Sequence, residues 1–170
     1  MKKKYICILL FIIFFLNSCT LGGRTMIYSD DDIKADFRLE QILEAIANED
    51  RNAIKAMFSE NALYEANDIE SGIDYLFSLI EGNIESWDRI GGSVDESNDH
   101  GKKTVKSKYR YNVYTDTEQY LFSILEFTID TNHPENIGVY SLKVINVNNE
   151  EPVFLGAGIY IPEETLIKND

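Results

Sequence analysis

Apolar residues recur with helical spacing in the segment that begins at Ile33. Asn48-Glu49-Asp50 interrupts the pattern, so the first helix is predicted to end there. Positions i, i+3, i+4 and i+7 share one face of a helix, and Phe37 extends that face toward the N-terminus. The face comprises Leu39, Ile42, Leu43 and Ile46.

Two further helices are predicted before residue 83. Asp50 can cap the first of them, which ends at a predicted turn over Ser59-Glu60-Asn61-Ala62. Asn67 and Glu70 have the spacing of a capping box before the next helix, and Gly82 is predicted to stop it. The apolar faces comprise Ile54, Met57 and Phe58 in the first, and Ile69, Ile73, Leu76, Phe77 and Ile80 in the second.

The chain beyond Gly82 has the composition of β-strands. A loop is predicted over residues 91–103, and Asp116-Thr117-Glu118 is a predicted hairpin turn. Further turns are predicted at 132–136 and 148–152. The predicted strands are Ile84–Ile90, Thr104–Thr115, Gln119–Thr131, Ile137–Val147 and Val153–Ile161.

Strict alternation distinguishes the two faces of the strand at 104–115. Side chains on opposite faces of a strand alternate; one face carries Val105, Ser107, Tyr109, Tyr111 and Val113, and the other carries Lys106, Lys108, Arg110 and Asn112. The second face is expected to be solvated. The strand at 119–131 is apolar on both sides, which favours a central position in the sheet.

Three helices followed by four or five successive strands predict an α+β fold. The helices are expected to pack on one face of a curled antiparallel sheet. We assign residues 33–162 to a single α+β domain and residues 163–170 to a C-terminal tail.

The first 18 residues are typical of an export signal. Three lysines precede an uncharged run, Tyr5–Leu16. A basic start and an apolar segment of this length are typical of a secretory signal peptide, whereas a membrane span needs about 20 apolar residues. An uncleaved signal anchor is the alternative.

Leu16-Asn17-Ser18-Cys19 resembles the lipobox of bacterial lipoprotein precursors. The resemblance implies that residues 1–18 are removed and that Cys19 carries a lipid. Stable anchoring needs two acyl chains or more. Residues 19–32 would then be the tether, and the domain would lie at the outer face of the cytoplasmic membrane.

Charge and cysteine content exclude several functions. The chain has a net charge of −13, and loss of the three signal lysines would leave −16. Nucleic-acid binding needs a basic footprint, so it is not expected. The other cysteine, Cys7, lies in the signal, so no disulfide, thiol nucleophile or metal site is predicted, and no cofactor is expected.

Several short motifs carry a family resemblance. Residues 56–62 (Ala-Met-Phe-Ser-Glu-Asn-Ala) and their surrounding helices resemble the nuclear transport factor 2-like (cystatin-like) fold. The chain over roughly 33–162 also resembles a family of Gram-positive bacterial lipoproteins catalogued as a domain of unknown function. That resemblance implies a fold and a location but no activity. Its marks are residues 38–42, 73–77, 81–82, 86–87, 101–104, 138–142 and 158–162.

Glu126 is the candidate for acid/base chemistry, because it lies in the most apolar strand. Burial would raise the pKa of its carboxyl, which suits a general acid or base. Alternatively, it faces solvent or pairs with a lysine. His100 and His133 are predicted to lie in surface loops, where metal binding is not expected.

Tyrosines are numerous, at ten in the chain, and they suit pocket walls as well as core positions. The candidates for a cavity between helices and sheet are Tyr75, Trp87, Tyr111, Tyr120, Glu126 and Tyr140. The leading hypothesis is a non-enzymatic, lipid-anchored domain that binds a small molecule or a protein there. The alternatives are an acid/base hydrolase or isomerase that uses Glu126, and a structural cell-envelope protein without a pocket.

Overall fold

The computed structural model describes residues 29–66, 68–148 and 152–156. The signal segment, Cys19 and residues 157–170 lie outside this range. The helices are α1 (Asp30–Ala47), α2 (Arg51–Met57), α3 (Glu60–Glu65) and α4 (Ile69–Leu79). The strands are β1 (Ile84–Asp99), β2 (Lys102–Thr115), β3 (Gln119–Asp130), β4 (Gly138–Asn146) and β5 (Pro152–Gly156), with a 3₁₀ turn at Pro134–Asn136.

Helix α1 begins three residues before the predicted start. Ser29 caps it in a reciprocal box, accepting from the Asp32 backbone N at 3.2 Å and donating its own N–H to the Asp32 carboxylate at 3.0 Å. The predicted apolar face is confirmed as buried. The extension to Phe37 is wrong, since that side chain is 59 % exposed. Ala35, four residues before Leu39, occupies the inner position instead.

The helical caps differ from the prediction at two places. Asp50 caps α2 as expected, accepting from Ala53 N at 2.9 Å. The turn predicted over 59–62 is wrong, because the Ser59 hydroxyl accepts from Ala62 N and starts helix α3. Asp68 rather than Asn67 caps α4. Helix α4 ends at Leu79, before Gly82.

The sheet is open and antiparallel, with strand order β1-β2-β3-β4-β5. The hairpin turn at 116–118 and the central position of β3 are confirmed. The loop predicted over 91–103 is wrong, because β1 continues to Asp99 and pairs with β2 as far as Lys102. The turn itself is only His100-Gly101, both with positive φ. Register shifts after Ile84 and Arg89 bend β1.

The helices and the inner face of the sheet enclose one hydrophobic core. Apolar side chains of β2 to β5 alternate into it, while Lys106, Lys108 and Arg110 are exposed on the outer face as predicted. On β3, Leu121 and Leu125 are only half-buried. The outer face is therefore an open surface that still carries apolar side chains.

Candidate functional site

Two of the predicted pocket tyrosines are core residues. Tyr111 and Tyr120 are both 0 % exposed. The Tyr120 hydroxyl donates to Leu79 O at 3.0 Å and accepts from Glu81 N at 2.8 Å. It therefore binds one backbone group at the last residue of α4 and one just beyond it, both of which lack partners within the helix, and its ring fills the space between helix and sheet.

The remaining aromatic candidates lie in separate places. Trp87 packs edge-on against Tyr111, with ring centroids 5.6 Å apart. Tyr140 instead packs on Phe127 at 5.4 Å, and its hydroxyl donates to the Glu65 carboxylate at 3.0 Å. Tyr75 is half-buried on α4 against the core. The structure thus brings Trp87 and Tyr111 into contact. Tyr120 instead contacts the end of α4, and Tyr140 contacts Phe127 and Glu65.

An ion-pair network joins the start of α1 to β1 and β2. Arg89 Nη1 lies 3.0 Å from Asp32 Oδ1 and 3.3 Å from Asp36 Oδ1. The hydroxyls of Tyr109 and Tyr111 donate to Asp32 and Asp36, at 3.1 and 3.2 Å. The carboxylates thus receive both charge and hydrogen bonds, so the network holds α1 on the sheet.

Burial and hydrogen bonding together set the ionisation of the groups in this network. Burial, and then the hydrogen bond to Asp32, raises the pKa of Tyr109 to about 12. Burial likewise raises the pKa of Tyr111 well above its usual range. The backbone hydrogen bond from Ser29 lowers the pKa of Asp32, against the opposing effect of burial. These shifts keep the tyrosines neutral and Asp32 charged, which is the form that the hydrogen bonds need.

Glu126 reaches toward α1 rather than into a substrate-sized pocket. Its Oε1 accepts from Arg38 Nε at 3.1 Å and from Arg38 Nη2 at 2.7 Å. Arg38 Nη1 also donates to Gln41 at 2.8 Å. The cavity that Glu126 lines has a volume of about 10 Å³, room for about one water.

The histidines lie at the surface and bind neighbouring acids. His100 Nδ1 contacts Asp99 in the β1–β2 turn, and His133 Nδ1 lies 3.0 Å from Glu135. Within the described ranges, no three His, Cys, Asp or Glu residues are grouped so that they could hold a metal ion.

A groove of about 530 Å³ lies on the outer face of the sheet. It is bounded by residues of four strands, and its charged residues are all basic. Neither Lys108 nor Arg110 makes a hydrogen bond or ion pair with any part of the chain that the structure describes. The groove is lined by Gly92, Ser93, Lys108, Arg110, Leu121, Ser123, Lys143 and Ile145.

A second cleft, of about 470 Å³, separates α1 from α2. Most of its polar side chains are already in use: Gln41 accepts from Arg38, Asp50 caps α2, and the Asn48 side chain donates to Glu44 O. The outer-face groove has the stronger claim to a ligand, because Lys108 and Arg110 have no such partners within the described ranges.

Sequence reasoning assigned Lys108 and Arg110 to the solvated face but did not treat them as a site. The available signal was local charge, since residues 102–110 hold five basic residues and no acid in a chain with net charge −13. Ser123 and Lys143 could not have been added from their positions alone. They join the groove through the register of β3 and β4.

One family model matches the chain, and its description names no activity. The family model described as domain of unknown function (DUF5104) matches residues 41–147. The chain belongs to this family. No curated protein matches the chain. Among the described helices, none is long and apolar enough to cross a membrane.

Proposed function

We propose that this chain is a lipid-anchored, extracytoplasmic binding domain that holds a small molecule on the outer face of its sheet. Cys19 is the proposed lipid attachment site, ten residues before the cap of α1. We also propose that the chain is a Gram-positive bacterial lipoprotein. Its helices and sheet would then have a nuclear transport factor 2-like arrangement. Binding rather than catalysis is the proposed role.

The outer-face groove carries this proposal. It is the larger of the two open clefts described above. Among the residues that the structure describes, no acid pairs with Lys108, Arg110 or Lys143. In contrast, Tyr111 and Tyr120 fill the inner side of the sheet. A ligand on the outer face would therefore bind without opening the core.

The position of Glu126 supports binding over acid/base catalysis. The Arg38 guanidinium donates two hydrogen bonds to one carboxylate oxygen of Glu126. The cavity beside Glu126 is too small for a substrate. A general acid or base must reach a proton of the substrate. Arg38 leaves only the other carboxylate oxygen of Glu126 for a substrate.

Native mass spectrometry of the full-length protein from its own host tests the proposal. The wild type should retain a bound mass. Ser123→Phe should lose that mass at an unchanged melting temperature, because the new ring fills the groove. Ser86→Phe, on an exposed position of β1 outside the groove, is the matched control and should retain the mass. Retention in Ser123→Phe, or no retained mass in the wild type, would argue against the groove.

A further inference from the structure

The charged ends of two groove residues lie over opposite outer strands of the sheet. Arg110 on β2 extends toward β1, where a Cβ added to Gly91 would lie 3.4 Å from its Nη2. Lys143 on β4 extends the other way, and its ammonium lies 4.6 Å from the centroid of the Phe154 ring on β5. Neighbouring strands lie about 4.8 Å apart, so the four spacings from β1 to β5 place the two charges on the order of 15–20 Å apart.

Between these two charges, the groove crosses β3 at a small side chain. Ser123 is the register partner of both Arg110 and Lys143, and all three residues line the groove. The next residues on the same face of β3 are Leu121 and Leu125, which are larger and half-buried. Ser123 is therefore a low point between two leucines, where an extended molecule can cross the strands.

The charges at the two ends of the groove need separate partners. The Phe154 ring fixes the Lys143 ammonium without neutralising its charge. Within the described ranges, no acidic residue lines the groove. An ion pair needs an N···O distance of about 4 Å or less, so one anionic group cannot contact both Arg110 and Lys143. Neutralising both charges takes two anionic groups that are well separated.

We propose that the outer-face groove binds an elongated molecule with an anionic group at each end and an apolar middle. One anionic group contacts Arg110 on the β1 side, and the other contacts Lys143 on the β5 side. The apolar middle lies over Ser123, between Leu121 and Leu125. Arginine offers two parallel donors to an anionic group, and lysine offers a point charge. This inference rests on the proposed binding function and specifies the class of ligand.

Equilibrium dialysis of the detergent-solubilised full-length protein tests this by comparing dodecanedioate with dodecanoate, with protein-free micelles as the blank. The two probes have the same chain length, but only the diacid has a second carboxylate. With C–C bonds of about 1.5 Å, its carboxylates are on the order of 15 Å apart when the chain is extended. The wild type should bind the diacid about fivefold more tightly than the monoacid, as expected for one partly exposed ion pair.

Arg110→Gln and Lys143→Gln should each abolish this preference, because either variant leaves only one of the two charges. Lys106→Gln is the matched control, because it removes the same charge from the exposed face of β2. Lys106 lies 3.9 Å from Asp95 and is outside the groove lining, so this variant should keep the preference.

Equal binding of the two probes by the wild type would overturn the inference. Retention of the preference in Arg110→Gln or Lys143→Gln, or its loss in Lys106→Gln, would also overturn it. If Ser123→Phe loses a host-derived mass while the wild type shows no preference for the diacid, the groove remains a binding site and only the doubly anionic ligand is refuted.

Discussion

Arg38 donates two hydrogen bonds to the same oxygen of Glu126, from Nε at 3.1 Å and from Nη2 at 2.7 Å. The two residues are 88 positions apart in the chain. The Glu126 side chain is 13 % exposed and that of Arg38 is 25 % exposed. This pair links the middle of α1 to β3, while the Arg89 network links the start of α1 to β1 and β2.

Loss of Arg38 should destabilise the fold, because it leaves a largely buried carboxylate without its partner. We expect Arg38→Met to reduce the free energy of unfolding by about 1.5–3 kcal/mol, measured by urea denaturation. The double variant with Glu126→Gln should lose less than the sum of the single losses, since the two side chains are coupled.

Lys34→Met on the same helix is the control for the Arg38 experiment. Lys34 pairs with Asp31 at 3.6 Å, with side chains 66 % and 47 % exposed. Exposed pairs contribute about 0–1 kcal/mol, so this variant should be near wild type. Additive losses for Arg38 and Glu126 would contradict the coupling.

Gly92 should tolerate no side chain. An added Cβ would lie 2.2 Å from Cδ1 of the Tyr109 ring. Tyr109 is 4 % exposed and its hydroxyl binds Asp32, so its ring cannot move freely. We expect Gly92→Ala to cost about 1–3 kcal/mol, measured by thermal or urea unfolding.

The adjacent Gly91 provides the matched comparison. A Cβ there would meet only the flexible end of Arg110, at 3.4 Å. Gly91→Ala should therefore unfold close to wild type. Equal destabilisation by both alanines would mean that the ring of Tyr109 is not the obstacle.

Stability should decline at alkaline pH through Tyr109. Its pKa is about 12 in the folded chain, against 10.0 for an ordinary tyrosine. The unfolded chain releases this proton at lower pH than the folded chain. The contribution of Tyr109 to stability is therefore fully present below pH 10 and is lost as pH rises toward 12. Urea unfolding over this pH range should show the decline, and Tyr109→Phe should reduce its slope. Tyr64→Phe should leave the slope unchanged, since Tyr64 is 88 % exposed; an identical effect of the two variants would refute the assignment.

Cys19→Ser should abolish incorporation of labelled fatty acid in the host. The expectation rests on Leu16-Asn17-Ser18-Cys19, at the end of the apolar run. Cys7→Ser should label like the wild type, because Cys7 lies within the segment that we propose is removed. Undiminished labelling of Cys19→Ser would disprove the proposed anchor.

Local patterns predicted most helices and the order of the strands. The face of α1 was readable because its apolar residues recur with the helical period. Residues 93–99 could not be recognised as a strand, because Gly91-Gly92 and the polar residues that follow resemble a loop. Their backbone nevertheless pairs with β2 throughout. Pairing with a neighbouring strand overrides the local preference of such residues.

The candidate site was harder to predict than the fold. Alternation correctly placed Lys108 and Arg110 on the solvated face, but a solvated face does not by itself indicate a groove. Ser123 and Lys143 become neighbours of Arg110 only through register across three strands. Similarly, nothing local indicates that Glu126 pairs with Arg38 rather than with a lysine.

The long first strand also has a consequence for self-association. β1 is an edge of the sheet within the described residues and extends over 16 residues, and the outer side of an edge strand is where another chain could pair. Bulges and charged side chains are the devices by which natural edge strands avoid such pairing. β1 has both, in its two register shifts and in Asp95, Glu96 and Asp99 near its end. This edge is therefore protected against the addition of a strand from a second copy, even where many copies are crowded together.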